Sequence, residues 1–205
     1  MYRLAPHPDI IGRVSVNYRD IQKARNELVR AIEDEFRDDF THILFIDSDM
    51  TFKPEDYESL LSLDLPIAFG IATKRSSSNS PAYLPLGDDF SDYSHLLSAL
   101  QVYPPKAFYV KGAGMAFTLI KREVFDKVAR INDIGEREWF WTEHVIDEDT
   151  HQEVHLSEDY NFCRIASSYG YKLGLQPSVV LGHVADYPYT LADWLDKLGV
   201  NYTKK

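Results

Sequence analysis

The chain has 205 residues, 44% hydrophobic and 26% charged, which suits one domain with a real core and leaves little room for two. Its 32 acidic residues outnumber 22 basic ones, and the resulting net charge of −10 disfavours the broad basic face that nucleic acid requires. The single cysteine, Cys163, excludes an intramolecular disulfide and a cysteine-based zinc site, and no apolar run suits a signal peptide or a membrane span.

Residues 1–20 hold two prolines and the short apolar runs Ile10-Ile11 and Val14-Ser15-Val16, which read as an arm or an edge strand. From Asp20, a candidate N-cap, Ile21, Ala24, Leu28, Ile32 and Phe36 mark one face of a helix. The run His42 to Asp47 reads as a strand buried on both faces, and Pro54 opens a second helix running to about Leu63. Leu65 to Thr73 reads as another buried strand, so the three elements predict a parallel β-α-β unit. Residues 74–91 form a long polar loop with Lys74, Arg75 and Tyr83. A short helix over 93–102 and strands at Phe108–Val110 and Met115–Ile120 flank a turn at Gly112-Ala113-Gly114. Arg122 to Ala129 is helical, and Trp139-Phe140-Trp141 suits a short strand. The acidic stretch 142–155, with His144, His151 and His155, lacks an apolar face and reads as a mobile loop that orders as a lid. A helix from Ser157 to Tyr169 with Gly170 as C-cap, strands at 171–176 and 178–184, and a terminal helix at 190–198 complete the pattern.

Chemistry concentrates where apolar strands end. Asp47 and Asp49 follow one such strand, and ligands of open α/β sheets sit beyond the carboxyl ends of the strands. Two hard oxygen donors there suit a divalent cation, which in turn suits phosphates; the competing reading is a pair of solvated turn acids. Glu158 and Asp159 open a helix, where the dipole keeps carboxylates ionised, and a plain capping pair would look the same. His183 ends the apolar run Val179-Val180-Leu181-Gly182, a place where histidine is more often structural than a ligand.

Taken together, Ala24-Arg25-Asn26, Leu44-Phe45-Ile46-Asp47-Ser48-Asp49-Met50, Gly112-Ala113-Gly114, Glu158-Asp159-Tyr160 and Leu181-Gly182-His183 resemble, in order and spacing, a metal-dependent GT-A glycosyltransferase of the small kind carried by phages and large viruses. The resemblance covers roughly residues 14–185. It implies a Rossmann-like three-layer α/β/α sandwich with a mostly parallel central sheet, a single domain over 1–205, and a first strand that is truncated or served by Val14–Asn17. It implies transfer of a sugar from a nucleoside-diphosphate donor, UDP by default, to a hydroxyl acceptor, with Mn²⁺ or Mg²⁺. Asp49 would bind the metal, Asp47 the ribose or a metal-bound water, and His183 the metal. One imidazole among oxygen ligands favours Mn²⁺. Asp159 would be the general base of an inverting reaction and Glu158 an acceptor contact, or the reverse. Arg25, Lys74, Gly112 and Gly114 would lie along the donor, with ordinary helix charge, loop charge and tight turn as the competing readings. Trp139 and Trp141 would stack on a sugar or belong to the core.

The acceptor implied is a glycan, a protein, a lipid-linked sugar or a hydroxymethylated base in viral DNA, the last disfavoured by the acidic charge. Two other classes fit the paired acids: a Mg²⁺-dependent nucleotidyltransferase, which has no need of His183, and a non-catalytic metal- or carbohydrate-binding module. The location expected is the cytoplasm, that of the host for a viral protein.

Overall fold

The computed structural model describes residues 9–36, 39–74, 80–86, 92–146, 151–184 and 190–200. In chain order these form α1 (Ile21–Phe36), β1 (His42–Ile46), β2 (Met50–Thr51), α2 (Pro54–Leu61), β3 (Ile67–Ile71), β4 (Tyr83–Leu84) and α3 (Ser94–Leu100). They continue with β5 (Phe108–Tyr109), β6 (Gly112–Ala113), β7 (Phe117–Lys121), α4 (Arg122–Val128), β8 (Arg130–Ile131), β9 (Arg137–Glu138) and β10 (Glu143–Ile146). Last come β11 (Glu153–Leu156), α5 (Glu158–Ser168), β12 (Leu173–Val180), β13 (Gly182–His183) and α6 (Leu191–Lys197). Most predicted elements are present within a residue or two. No helix among the described residues is long and apolar enough to cross a membrane.

The main sheet has five strands in the order β1-β7-β3-β12-β5. Only β3 and β12 pair in parallel, whereas β7 with β3 and β5 with β12 are antiparallel. Two backbone bonds, Arg122 N–H to Thr41 O and Asp47 N–H to Ala116 O, flank β1 and β7 in the antiparallel sense. The mostly parallel sheet of the sequence reading is therefore corrected to a mixed α/β sheet that is mostly antiparallel. β1 and β3 do run the same way, but β7 lies between them. An apolar run records that both faces are covered and carries no record of a neighbour's direction.

The chain divides into two compact units: Met1–Ala5, Leu44–Ile120 and Lys172–Lys205 in the first, Pro6–Ile43 and Lys121–Tyr171 in the second. In the first, Tyr57 and Leu60 of α2 share an apolar cluster with Ala68, Phe117, Val179 and Leu181. Every residue of β3 is buried, as its uninterrupted apolar sequence requires. The two strands read at 171–176 and 178–184 are one strand, β12, whose register with β3 shifts between Leu175 and Val180, followed by the short β13. Pro177 lies inside that shifted stretch, where it removes one N–H from the ladder.

In the second unit α1 buries Arg25, Asn26 and Val29, while Ile21 is exposed. The buried face is thus rotated from the apolar stripe, because polar side chains on it have fixed partners. Asn26 Oδ1 accepts the N–H groups of Trp139 and Phe140 at 2.8 and 3.0 Å, and its Nδ2 donates to Phe140 O at 2.7 Å. Gln22 Oε1 accepts the Thr142 N–H at 3.2 Å, and Asn161 Nδ2 donates to Trp141 O at 3.0 Å. Side chains therefore satisfy the backbone of 139–142, and that stretch is not the strand expected there. Asp20 caps α1 as expected, accepting the Lys23 N–H at 3.0 Å. Gly170 closes α5 with φ of 84°. Of the N-terminal arm, residues 9–20 form no strand, so Val14–Asn17 does not supply one; residues 1–8 lie outside the described residues.

The acidic stretch 142–155 is also corrected. It forms an antiparallel pair, β10 with β11, in which Val145 faces Val154 and His144 faces His155. Cross-strand side-chain pairs stabilise such a ribbon without any helical apolar stripe. The ribbon's residues 147–150 lie outside the described residues.

Asn26→Ala leaves two buried N–H groups without an acceptor, each costing about 1–3 kcal/mol. It is expected to lower unfolding free energy by about 3 kcal/mol in urea titration. Asn26→Asp, which keeps the acceptor and loses the donor, should cost less than the alanine. Equal stability of the wild type and Asn26→Ala would contradict the clamp.

Candidate functional site

β1 ends at Ile46 and the chain turns at once, with the Met50 N–H bonded to Asp47 O at 3.1 Å. Met50 and Thr51 then pair with His183 and Gly182 as the two-residue ladder β2–β13, and the Val184 N–H reaches Asp49 O at 2.8 Å. Gly182 permits this approach, since a Cβ there would stand 2.3 Å from Thr51 Oγ1. The ladder brings Asp49 and His183 together: His183 Nε2 lies 3.4 Å from Asp49 Oδ2, both side chains largely shielded from solvent.

His183 Nδ1 lies 2.9 Å from Thr73 O. A carbonyl oxygen only accepts, so Nδ1 carries the hydrogen and Nε2 is the nitrogen turned to the carboxylate. Backbone carbonyls orient metal-binding histidines in this manner. The 3.4 Å separation exceeds the roughly 2.7–2.9 Å of a charge-assisted hydrogen bond. It is close to the spacing of two donors on one cation at about 2.1 Å each, roughly 3.0–3.4 Å. One imidazole and one carboxylate thus fit a divalent transition cation. Asp47 does not complete a three-residue set: among the described residues no three His, Cys, Asp or Glu side chains are grouped to hold a metal. Water could supply the remaining ligands.

Thr73 is the residue the sequence reading passed over here. It acts through its carbonyl, which leaves no signal in residue type. Its own hydroxyl is buried and has no hydrogen-bond partner among the described residues.

The acidic pair belongs to the second unit. Glu158 and Asp159 open α5 after Ser157. Arg25 Nη1 lies 2.5 Å from Glu158 Oε1 and 3.8 Å from Asp159 Oδ2. The two acids are therefore not equivalent. Glu158 is consumed by a buried ion pair with its side chain 9% exposed, while Asp159 is 16% exposed. Asp159 Oδ1 accepts the Ser157 hydroxyl and the Tyr160 N–H. Arg25, expected along the donor, is placed against Glu158 on the buried face of α1.

Gly112 and Gly114 do not make the tight turn expected of them. Gly112–Ala113 is the strand β6, paired with Tyr83–Leu84, and the Gly114 N–H bonds to Ala82 O at 2.9 Å. Tyr83 in that ladder is fully buried, and burial drives its phenol pKa well above the ordinary value. Lys74 is exposed, its N–H held by Ser80 O at 2.8 Å; Arg75 lies outside the described residues. Trp139 and Trp141 are core: both are buried, Trp139 Nε1 donates to Phe125 O at 3.1 Å, and the Arg130 guanidinium covers the Trp141 ring at 4.0 Å.

No protein-family model and no curated protein matches the chain. Among solved structures, the crystal structure of A197 from STIV superposes with a TM-score of 0.49 at 16% identity, covering 82% of this chain and 70% of that one.

Removing one member of a buried ion pair costs about 3–5 kcal/mol, because the other charge stays buried alone. Arg25→Met should lose about that much stability by denaturant titration. Arg25→Met combined with Glu158→Leu should recover part of it. A double variant as unstable as the sum of the singles would show that the two residues are not coupled.

Proposed function

We propose that this chain is a metal-dependent glycosyltransferase that moves a sugar from a nucleoside-diphosphate donor, a UDP-sugar in the first instance, to a hydroxyl acceptor. The observation that carries the reading is His183 Nε2, its tautomer set by Thr73 O, facing Asp49 Oδ2 at 3.4 Å at the end of β1. Asp49 and His183 hold the cation, Mn²⁺ before Mg²⁺, and Asp47 takes the ribose or a water on the cation. When bound, the cation neutralises charge gathering on the departing diphosphate.

Asp159 is the general base. Its carboxylate takes the proton of the acceptor hydroxyl, whose oxygen bonds to the anomeric carbon as the bond from that carbon to the diphosphate breaks. The outcome is inversion. Glu158 is the weaker candidate because Arg25 already neutralises it. It serves by fixing the start of α5, so that the neighbouring carboxylate is held in one orientation. Lys74, exposed at the end of the segment after β3, supplies a charge for donor phosphates.

The test is nucleoside diphosphate release from UDP-, GDP- and CDP-sugars in Mn²⁺, with water as the acceptor. Asp49→Ala should abolish donor binding. Asp159→Asn should leave donor affinity within about twofold and slow release by about 10²–10⁴-fold, the usual contribution of a general base. Absence of both binding and release with every donor would refute the proposal.

A further inference from the structure

The β10–β11 ribbon carries a second arrangement of imidazoles, separate from Asp49 and His183. His144 and His155 are directly opposed in register. His144 Nε2 lies 3.2 Å from His155 Nδ1, with ring centroids 4.7 Å apart. On the far side of the first ring, His144 Nδ1 lies 3.1 Å from Glu153 Oε1. Both His144 and Glu153 are exposed, at 63% and 66%.

Hydrogen bookkeeping on these atoms leaves few choices. An ionised carboxylate only accepts, so His144 Nδ1 bears a hydrogen and, in the neutral ring, Nε2 is a lone pair. The hydrogen between the rings then sits on His155 Nδ1. Moving it to the other nitrogen of His155 changes no charge and leaves two lone pairs 3.2 Å apart. Two nitrogens on a tetrahedral cation at about 2.0–2.1 Å each are separated by about 3.3–3.4 Å. A carboxylate behind one imidazole is the usual outer support of a histidine ligand.

We propose that His144 Nε2 and His155 Nδ1 chelate a borderline transition cation of the zinc, nickel or copper class, with Glu153 orienting His144 and water filling the other positions. Imidazole pairs select this class over the hard cations Mg²⁺ and Ca²⁺. No third protein ligand is required, in keeping with the absence of any three-residue metal group among the described residues. The bound cation ties β10 to β11. A lone two-stranded ribbon is only marginally stable, and this one exposes Ile146 and Val154 rather than burying them. The metal adds a cross-link where packing supplies little.

The experiment is calorimetric titration of ZnCl₂ into the full chain, tag-free and stripped of metal, carrying Asp49→Ala so that the other proposed cation site is removed. One Zn²⁺ should bind per chain, with histidine ring NMR signals shifting only for His144 and His155. Adding Glu153→Gln should weaken binding about 10–100-fold, and adding His144→Gln with His155→Gln should abolish it. All three residues lie on an exposed ribbon, and a circular dichroism spectrum equal to the parent's confirms that the variants fold. Absence of Zn²⁺ binding in the Asp49→Ala chain, or an isotherm unchanged by the double glutamine substitution, would overturn the proposal. Neither result bears on donor chemistry at Asp49 and His183.

Discussion

α1 turns a charged and an amide side chain inward, and the second unit is arranged around meeting their demands. A buried guanidinium is tolerable only beside a carboxylate, and a buried amide only where its donors and acceptor are used. Arg25 therefore fixes where α5 begins, because Glu158 must be the residue it meets. Asn26, next along the helix, fixes the path of Trp139 and Phe140. The aromatic packing follows from that path: Phe140 stacks on Phe162 of α5 at 4.7 Å, and Phe125 of α4 joins the same ring at 5.8 Å. Hydrophobic burial supplies the energy of this core, while the two polar residues select which of many packings is adopted.

The first unit solves a different problem with backbone alone. Neither Asp49 nor His183 lies in a long element. His183 is held in a two-residue ladder for which Gly182 leaves room, and Asp49 is held beside it by the Val184 N–H. The imidazole is then oriented by a main-chain oxygen rather than by a side chain. Such a corner makes few demands on sequence, since little besides the glycine and the two facing side chains is specified.

The sequence was most legible where local chemistry and fold agree. Asp20, Pro54 and Gly170 mark helix ends because capping and proline geometry are local rules, and the uninterrupted apolar runs of β1 and β3 announce burial. It was least legible where long-range partners decide. The direction of β7 is not written in its residues. The rotation of α1 away from its apolar stripe depends on carbonyls and amides more than a hundred residues distant. The ribbon at 143–156 looked solvated because its charges hid the β-branched pair Val145 and Val154. At the candidate site the nearness of Asp49 to His183 was implied by the resemblance in motif order, not by the residue types themselves. The service of Thr73 O, and the capture of Glu158 by Arg25, could not be anticipated.

Both pairs that define the candidate chemistry are long-range closures. Arg25 and Glu158 are 133 positions apart, and the ladder joining Met50 to His183 spans an equally long stretch of chain. The ion pair cannot form until α5 has emerged from the ribosome, nor the ladder until β13 has. Contacts of such sequence separation are slow to form, because much of the chain must be ordered before they are rewarded. Until then Arg25 and Glu158 are separate, solvated charges, and Asp49 has no His183 beside it. A chain truncated before β13 would therefore keep both partners of the buried ion pair and lose the Asp49–His183 corner.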